Sequence, residues 1–147
     1  YALEGNKELF DNMKENVKDF PKITPLNLAL WNKEGWGHMT GASEEHPWGG
    51  VNGGARLSED EEPLQQKIPT ISLAGFMKKN NIPQIDCLKI DIEGGEKEVF
   101  EAPDFLEVAN KVRFIIGEHV PPLCSGLLKS IGFKEIKGKA WYYKRYD

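Results

Sequence analysis

The chain of 147 residues is long enough for about one domain with a single core. Its formal net charge of −4, with 29% charged and 39% hydrophobic residues, is typical of a soluble globular protein and gives no reason to expect a nucleic-acid partner. No apolar stretch approaches the roughly 20 residues of a membrane span, and two isolated cysteines, Cys87 and Cys124, form no disulfide scaffold, so we expect a cytoplasmic protein.

The first third of the chain predicts two strands that flank a helix. Residues 1–5 indicate a short strand that ends in an acid, Glu4, and Asn6 can cap the following helix. Residues 23–31 predict the second strand. The apolar side chains of the helix recur at helical spacing: Leu9, Phe10, Met13 and Val17.

Residues 35–67 differ in character from their surroundings. They are rich in glycine and contain two tryptophans, Trp36 and Trp48, before an acidic run at 59–62. A loop of this length is usually functional or disordered. We therefore predict a hairpin insertion with a mobile lid at about 35–67, inside one domain that spans 1–147. Its histidines match no zinc pattern, so we expect no metal.

Strands and helices alternate through the rest of the chain. We predict strands at 68–71, 86–93 and 112–117, separated by helices that Ser72 and Asp104 cap. Gly132 ends the last helix, and a hairpin closes the chain. Such alternation predicts an α/β fold with a mainly parallel sheet, to which the closing hairpin adds an antiparallel edge.

The acidic strand is the most informative segment. Asp91 and Glu93 share one face of it with Lys89, because side chains two apart point the same way. In open α/β sheets, ligands bind outside the carboxyl ends of the strands. Two interpretations stay open: a structural Lys89–Asp91 ion pair, or a general base or substrate anchor at Asp91 or Glu93.

Two other strand ends carry polar residues. Glu4 ends the first strand, where an acid in nucleotide-binding folds takes hydrogen bonds from ribose hydroxyls; otherwise it is a solvated loop acid. His119 follows the strand at 112–117 and is either a base near neutral pH or a simple loop histidine.

In their order, these segments resemble the FkbM family of S-adenosylmethionine-dependent methyltransferases. Residues 87–96, Cys-Leu-Lys-Ile-Asp-Ile-Glu-Gly-Gly-Glu, are similar to that family's Leu-Lys-Ile-Asp-x-Glu-Gly-x-Glu signature. Residues 1–6 resemble its strand ending in Glu-Pro-Asn, with Gly5 where proline is usual. Residues 27–35 and Glu118-His119 resemble two further segments.

The resemblance implies a Rossmann-like class I methyltransferase fold and S-adenosylmethionine as cofactor. Glu4 would bind the cofactor ribose, and Ala29 and Leu30 would line the adenine pocket. Asp91 and Glu93 would face the methionine end of the cofactor or the acceptor. A carboxylate or His119 would remove the acceptor proton. The family is associated with O-methylation, often of sugar or natural-product hydroxyls, so the expected partner is a small-molecule acceptor.

One departure from the family concerns the cofactor loop. The family's first strand and its glycine-rich loop would precede Tyr1, and no Gly-x-Gly-x-x-Gly occurs in the 147 residues. We therefore expect a fold that is incomplete at the N-terminus, with weak or no cofactor binding by these residues alone. Strand edges exposed in this way favour association, so a homo-oligomer is one expectation.

Two competing functions remain. The first is a degenerate, noncatalytic module of the same fold that binds protein or glycan, which the missing loop favours and the intact acidic signature opposes. The second is an NAD-type oxidoreductase, which also places Glu4 at a ribose but accounts poorly for the acidic strand. Tryptophans in the lid would suit the face of a sugar or aromatic ring in the acceptor.

Overall fold

The computed structural model describes residues 1–40, 56–58, 67–92, 95–117, 122–136 and 141–145. These residues form an α/β structure of five helices and ten strands. They fall into two compact units, unit 1 (residues 1–71) and unit 2 (residues 72–147), which are described separately. Within the described ranges, every helix is too short or too polar to cross a bilayer.

Unit 1 begins with a parallel strand pair joined by a helix. Strand β1 (Ala2–Leu3) leads into helix α1 (Lys7–Asn16), and strand β2 (Pro25–Leu26) then pairs in parallel with β1. Asn6 begins the helix, because its side-chain oxygen accepts hydrogen bonds from the amides of Glu8 and Leu9 at 3.0 and 3.1 Å. The predicted cap is therefore confirmed.

The apolar side of α1 is not buried as its spacing predicts. None of its residues is buried, and Leu9 is 37% exposed. The helix instead carries exposed contacts along its own length, such as the ion pair between Lys7 and Asp11. Most helical stability in proteins comes from tertiary packing, so α1 depends strongly on its cap.

The predicted strand at 23–31 is interrupted at Asn27. Strand β2 ends just before it, and strand β3 (Ala29–Leu30) belongs to a different sheet. The reason is that Asn27 turns its side-chain amide onto the crossing chain, where it donates hydrogen bonds of 2.8 Å to the carbonyls of Glu4 and Gly5. One apolar run thus supplies strands to two sheets.

The second sheet of unit 1 contains the predicted hairpin insertion. Strand β4 (Gly35–Thr40) pairs antiparallel with strand β5 (Arg56–Ser58) and with strand β6 (Lys67–Ile71), which in turn pairs in parallel with β3. The strand order is β3-β6-β4-β5. Within the predicted insertion, β4 and β5 form an antiparallel pair, while the remainder, 41–55 and 59–66, lies outside the described residues.

Unit 2 begins with a helix that follows its prediction closely. The Ser72 side-chain oxygen accepts the amide of Gly75 at 3.1 Å and caps helix α2 (Leu73–Lys79). The apolar face of α2 is buried as predicted, through Leu73, Phe76 and Met77.

The rest of unit 2 alternates as predicted. Its remaining elements are strand β7 (Leu88–Ile90), helices α3 (Glu96–Phe100) and α4 (Phe105–Ala109), strand β8 (Phe114–Gly117), helix α5 (Pro122–Ser130), and strands β9 (Phe133–Ile136) and β10 (Trp141–Arg145). The sheet order is β7-β8-β10-β9, with β7 and β8 parallel and β10 antiparallel to both neighbours. The closing hairpin is confirmed, and Gly132 has the positive φ of +95° expected where α5 ends.

The core of unit 2 lies around α3 and α4. The rings of Phe100 and Phe105 meet edge to face, with centroids 5.2 Å apart. Val112, Ile115 and Leu128 are fully buried as well.

Two predictions about these elements are wrong. The described strands form three small sheets, two of them mixed, rather than one mainly parallel sheet, with three parallel and four antiparallel pairings. All four antiparallel pairings involve β4 or β10, the strands of the insertion and the closing hairpin. Asp104 makes no side-chain cap at α4, because its carboxylate accepts a hydrogen bond from the Ser72 hydroxyl at 2.5 Å instead.

Candidate functional site

Glu4 lies at the carboxyl end of β1, where the backbone is fixed on both sides. Its amide donates to the carbonyl of Leu26 at 3.1 Å, and its carbonyl accepts from the amide of Leu28 at 3.2 Å. Asn27 contributes the side-chain hydrogen bond to the same carbonyl. The backbone that carries the Glu4 side chain is therefore held by three consecutive residues of the crossing chain.

The Glu4 carboxylate is also oriented locally. The backbone amide of Asn6 donates to Oε1 of Glu4 at 2.8 Å. Asn6 is buried, whereas Glu4 is only half-buried. A charge-assisted hydrogen bond of this kind holds a carboxylate in one orientation, so Glu4 presents a fixed acceptor at the end of its strand.

Ala29 and Leu30 are brought into the same neighbourhood as the Glu4 backbone. They form β3 and are half-buried. A Cβ atom placed on Gly5 would meet Ile68 Cγ2 at 3.1 Å and Ala29 Cβ at 3.4 Å. The structure thus places the residue after Glu4 directly against the strand that carries Ala29.

Two polar side chains that follow β3 were missed by the sequence reasoning. Nε1 of Trp31 and Oδ1 of Asn32 are shielded from solvent and have no hydrogen-bond partner in the described part of the chain. Buried polar groups are normally paired. A buried indole N–H and amide oxygen next to Leu30 therefore offer one donor and one acceptor to a ligand, and no periodicity in the sequence marks them.

Asp91 lies immediately after β7 in unit 2. Ile90, the last residue of β7, is in register with Gly117, the last residue of β8, so the two parallel strands end at the same edge. The Nζ atom of Lys89 lies 2.6 Å from Oδ2 of Asp91, and both side chains are substantially exposed. Of the two interpretations of the acidic strand, the ion pair is the contact that forms.

Glu93 and His119 lie outside the described residues. The description resumes at Gly95, and Glu96 begins α3 with only 2% of its surface exposed. Its Oε2 atom has no hydrogen-bond partner within the described ranges. Burial of a carboxylate is costly without a partner, and the sequence pattern did not mark Glu96 as buried.

Among the described residues, no group of three or more His, Cys, Asp or Glu side chains has an arrangement that could hold a metal ion. A groove of about 440 Å³ runs beside the end of α1, between Val17, Phe20 and Ile23. It contains none of the predicted site residues.

Comparison with known proteins identifies the family. The family model described as the methyltransferase FkbM domain matches residues 1–125, which include Glu4, the β3 strand and the acidic signature of β7. Searches of curated proteins and of solved structures found no match. Because the matched segment covers most of the 147 residues, the chain belongs to the FkbM methyltransferase family.

Proposed function

We propose that this protein transfers a methyl group from S-adenosylmethionine to a hydroxyl of a sugar or another small metabolite. The family membership supports methyl transfer. The observation that carries the choice of cofactor is the Glu4 carboxylate at the end of β1, which the Asn6 amide orients while Asn27 holds the backbone carbonyl of the same residue. A fixed carboxylate at this position of an α/β sheet suits the two hydroxyls of a ribose.

The residues of unit 1 fit such a cofactor. The Glu4 carboxylate would accept hydrogen bonds from the ribose, and Ala29 and Leu30 would contact the adenine. Trp31 Nε1 and Asn32 Oδ1, which have no partner among the described residues, offer the donor and acceptor that a purine edge requires. When bound, S-adenosylmethionine supplies an electrophilic methyl group on its sulfonium.

Asp91, Glu93 and His119 are the proposed bases for the acceptor hydroxyl. Removal of a proton by a positioned side chain contributes about 10²–10⁴-fold to a rate. Since a sulfonium is already reactive, positioning of the hydroxyl is expected to contribute the larger part. We also propose that the strands have a Rossmann-like arrangement, and the parallel pairing of β7 with β8 supports it.

A noncatalytic binding module of the same family is the second candidate. The observation in its favour is the Lys89–Asp91 ion pair, which occupies one of the proposed catalytic carboxylates. An exposed carboxylate that is paired with a lysine is also explained as part of a surface ion pair, without a catalytic role. The two candidates differ in one measurable property, which is turnover of the methyl donor.

The proposal is tested with the protein in its full natural length. We expect S-adenosylhomocysteine to bind in calorimetric titrations, and S-adenosylmethionine to be consumed when sugar acceptors are present. Glu4→Gln should weaken S-adenosylhomocysteine binding about tenfold, the usual range for one charge-assisted hydrogen bond. Glu8→Gln, an exposed acid on α1, is the matched control and should leave affinity unchanged.

Two results would count against the proposal. Equal affinities for Glu4→Gln, Glu8→Gln and the unaltered protein would remove Glu4 from the cofactor site. Binding of S-adenosylhomocysteine with no turnover for any hydroxylated acceptor would favour the noncatalytic module.

A further inference from the structure

We propose that the outer face of the second sheet of unit 1, formed by Trp36, His38 and Lys67, binds the acceptor through a sugar ring that carries an anionic group. This inference rests on the proposed function, because it names the class of acceptor. We call this surface the Trp36 face.

The register of β4 and β6 places the three side chains on one side of the sheet. His38 is opposite Lys67 in the antiparallel pairing, and Trp36 is opposite Pro69. Opposed residues of an antiparallel pair share a face, as do residues two apart on one strand. The alternate residues, Ile68 and Thr70 among them, are buried on the other side of the sheet. The Trp36 face is therefore exposed at Trp36 and Lys67, while Ile71, two positions beyond Pro69 on the same side of β6, is buried.

The indole ring of Trp36 is unusually exposed to solvent. It is 60% exposed, the second-largest exposure among the large hydrophobic side chains of the described residues. Tryptophan presents a flat apolar ring with one polar edge, and it is enriched where proteins meet ligands and partners. A pyranose ring has an apolar face of C–H groups that packs on such a surface.

A positive charge lies directly beside this ring. The Nζ atom of Lys67 is 5.4 Å from the ring centroid of Trp36. As a stabilising contact alone, an exposed cation–π pair contributes little. An ammonium held over an exposed indole instead places a positive charge next to the apolar ring. Charge complementarity therefore selects a ring that bears a carboxylate, phosphate or sulfate group over a neutral one.

His38 supplies a second, independent sign of an incomplete site. Its Nδ1 atom is shielded from solvent and has no hydrogen-bond partner in the part of the chain that the structure describes. Orphaned polar atoms are uncommon in folded proteins and require an explanation. The atom lies on the residue opposite Lys67, so this polar group and the Lys67 ammonium are neighbours on the same face.

The position of the face within its sheet is consistent with an acceptor site. In the order β3-β6-β4-β5, one strand separates β4 from β3, which carries Ala29 and Leu30. The surface proposed for the acceptor and the residues proposed for the adenine therefore belong to one sheet of one unit. A ligand on Trp36 would be held by the same strands that support the cofactor residues.

Titrations followed by nitrogen–proton NMR test this inference. The indole N–H signal of Trp36 is assigned as the one that disappears in Trp36→Phe. Glucuronic acid, glucose 6-phosphate and glucose 6-sulfate are the anionic probes, and glucose is the neutral one. We expect all three anionic sugars to shift the Trp36 signal at millimolar concentration, and to bind about fivefold more tightly than glucose.

The variants separate the contributions of ring and charge. Lys67→Gln should abolish the preference for anionic sugars and leave glucose binding unchanged. Trp36→Ala should weaken every sugar about tenfold, as read from the amide signals of Gly37 and Ile68. Phe20→Ala and Lys22→Gln, an aromatic and a lysine exposed elsewhere in unit 1, are matched controls and should have no effect.

The outcomes separate this inference from the proposed function. Failure of all sugars to shift the Trp36 signal, or equal affinities for glucose and the anionic sugars, would overturn the inference even if S-adenosylhomocysteine binds. Binding of anionic sugars that depends on Lys67 would support it, even where no methyl transfer is detected. A response to only one of the three anionic groups would support it and identify the group.

Discussion

The side-chain amide of Asn27 donates a hydrogen bond of 2.8 Å to the backbone carbonyl of Glu4. A second hydrogen bond of equal length reaches the carbonyl of Gly5. One side chain therefore fixes two consecutive peptide groups beside the carboxylate that we propose for the ribose. The same amide interrupts the apolar run of residues 23–31, so a break in a strand and the support of a site have one cause.

We predict that Asn27→Ala weakens both stability and cofactor binding. The substitution leaves the partly buried Gly5 carbonyl without its partner, which costs about 1–3 kcal/mol. Urea unfolding measures the free energy, and calorimetric titration with S-adenosylhomocysteine measures the affinity. Asn16→Ala, at an exposed position of α1, is the control and should change stability by no more than about 0.5 kcal/mol. Equal stabilities of the two variants would contradict the role of Asn27.

Gly5→Ala is predicted to crowd the Ile68 side chain. The substitution would bring a Cβ atom to 3.1 Å from Ile68 Cγ2 and 3.4 Å from Ala29 Cβ. Relief of this crowding requires Ile68 or β3 to move slightly, at a cost of about 1 kcal/mol. The matched control is Gly126→Ala in α5, where nothing lies within 4 Å. There the helix propensity of alanine should raise stability by about 0.5–1 kcal/mol, so thermal unfolding should shift in opposite directions for the two variants.

Asp91 is predicted to matter for turnover more than for stability. Asp91→Asn should lower the rate of methyl transfer about 10²–10⁴-fold if Asp91 is the base. Its ion pair with Lys89 is exposed, so the free energy of unfolding should change by less than about 1 kcal/mol. Asp86→Asn is matched in charge and in having a cationic partner, since Asp86 pairs with Arg113 at 3.2 Å, and it should leave turnover unchanged. Full activity in Asp91→Asn would assign the proton transfer to Glu93 or His119.

Ser72 is predicted to stabilise unit 2 through two hydrogen bonds. Its hydroxyl donates to Asp104 and accepts the amide of Gly75, and the residue is buried. Ser72→Ala removes a helix cap and leaves Asp104 with no donor from this residue, at a cost of about 1–3 kcal/mol. Ser130→Ala removes an exposed hydroxyl that bonds only to the carbonyl of Leu127. Its effect in urea unfolding should stay within about 0.5 kcal/mol.

The two cysteines are predicted to differ in reactivity. Burial raises the pKa of the Cys124 thiol from 9.0 to about 11, and the charge of Glu101 adds to the shift. Only the thiolate is reactive, so Cys124 should resist a thiol reagent near neutral pH in the folded protein. Cys87 is exposed and should react at once. Reaction of both thiols at equal rates without denaturant would contradict the burial of Cys124.

The raised pKa of Cys124 also predicts that the protein loses stability at alkaline pH. The folded state holds the Cys124 proton more tightly than the unfolded chain, whose thiol ionises near 9.0. As the pH rises from 9.0 to about 11, proton release therefore favours the unfolded state, and this contribution is complete above the folded pKa. Cys124→Ala should flatten the fall in the free energy of unfolding over this interval. Cys87→Ala serves as the control.

Local chemistry made several elements predictable from the sequence. Asn6 and Ser72 cap helices because each carries an acceptor one position before an amphipathic run. Gly132 ends α5 because it adopts a positive φ without strain. The closing hairpin follows from two strand patterns separated by a short segment. Each of these features depends on residues within a few positions of one another.

Other features depend on partners far away in the chain. The interruption at Asn27 requires the carbonyls of Glu4 and Gly5, more than 20 residues earlier. Asp104 has the residue type of a cap, but the Ser72 hydroxyl, 32 residues away, occupies its carboxylate. The burial of Glu96 likewise comes from packing rather than from its pattern. Such outcomes are decided by tertiary contacts, which a single sequence does not display.

The features of the candidate site also fall into local ones and ones that depend on contacts far away in the chain. The position of Glu4 at a strand end is local and was predicted, whereas the orientation of its carboxylate by the Asn6 amide was not. The atoms of Trp31 and Asn32 that lack a partner within the described residues depend on burial by other elements. The acidic signature could be located from the sequence alone, whereas the Lys89–Asp91 ion pair required the distance between the two side chains, and the role of Asp91 as a base stays a prediction.

Helix α1 has no buried residue, and this has a consequence for local opening. Its amide protons should exchange with solvent long before those of the unit 2 core, because few tertiary contacts are lost when it unwinds. The hydrogen bonds from Leu28 and Asn27 to Glu4 do not involve α1. The backbone at the end of β1 can therefore keep its place while the helix frays and reforms, whereas the orientation of the Glu4 carboxylate depends on the Asn6 amide at the start of α1.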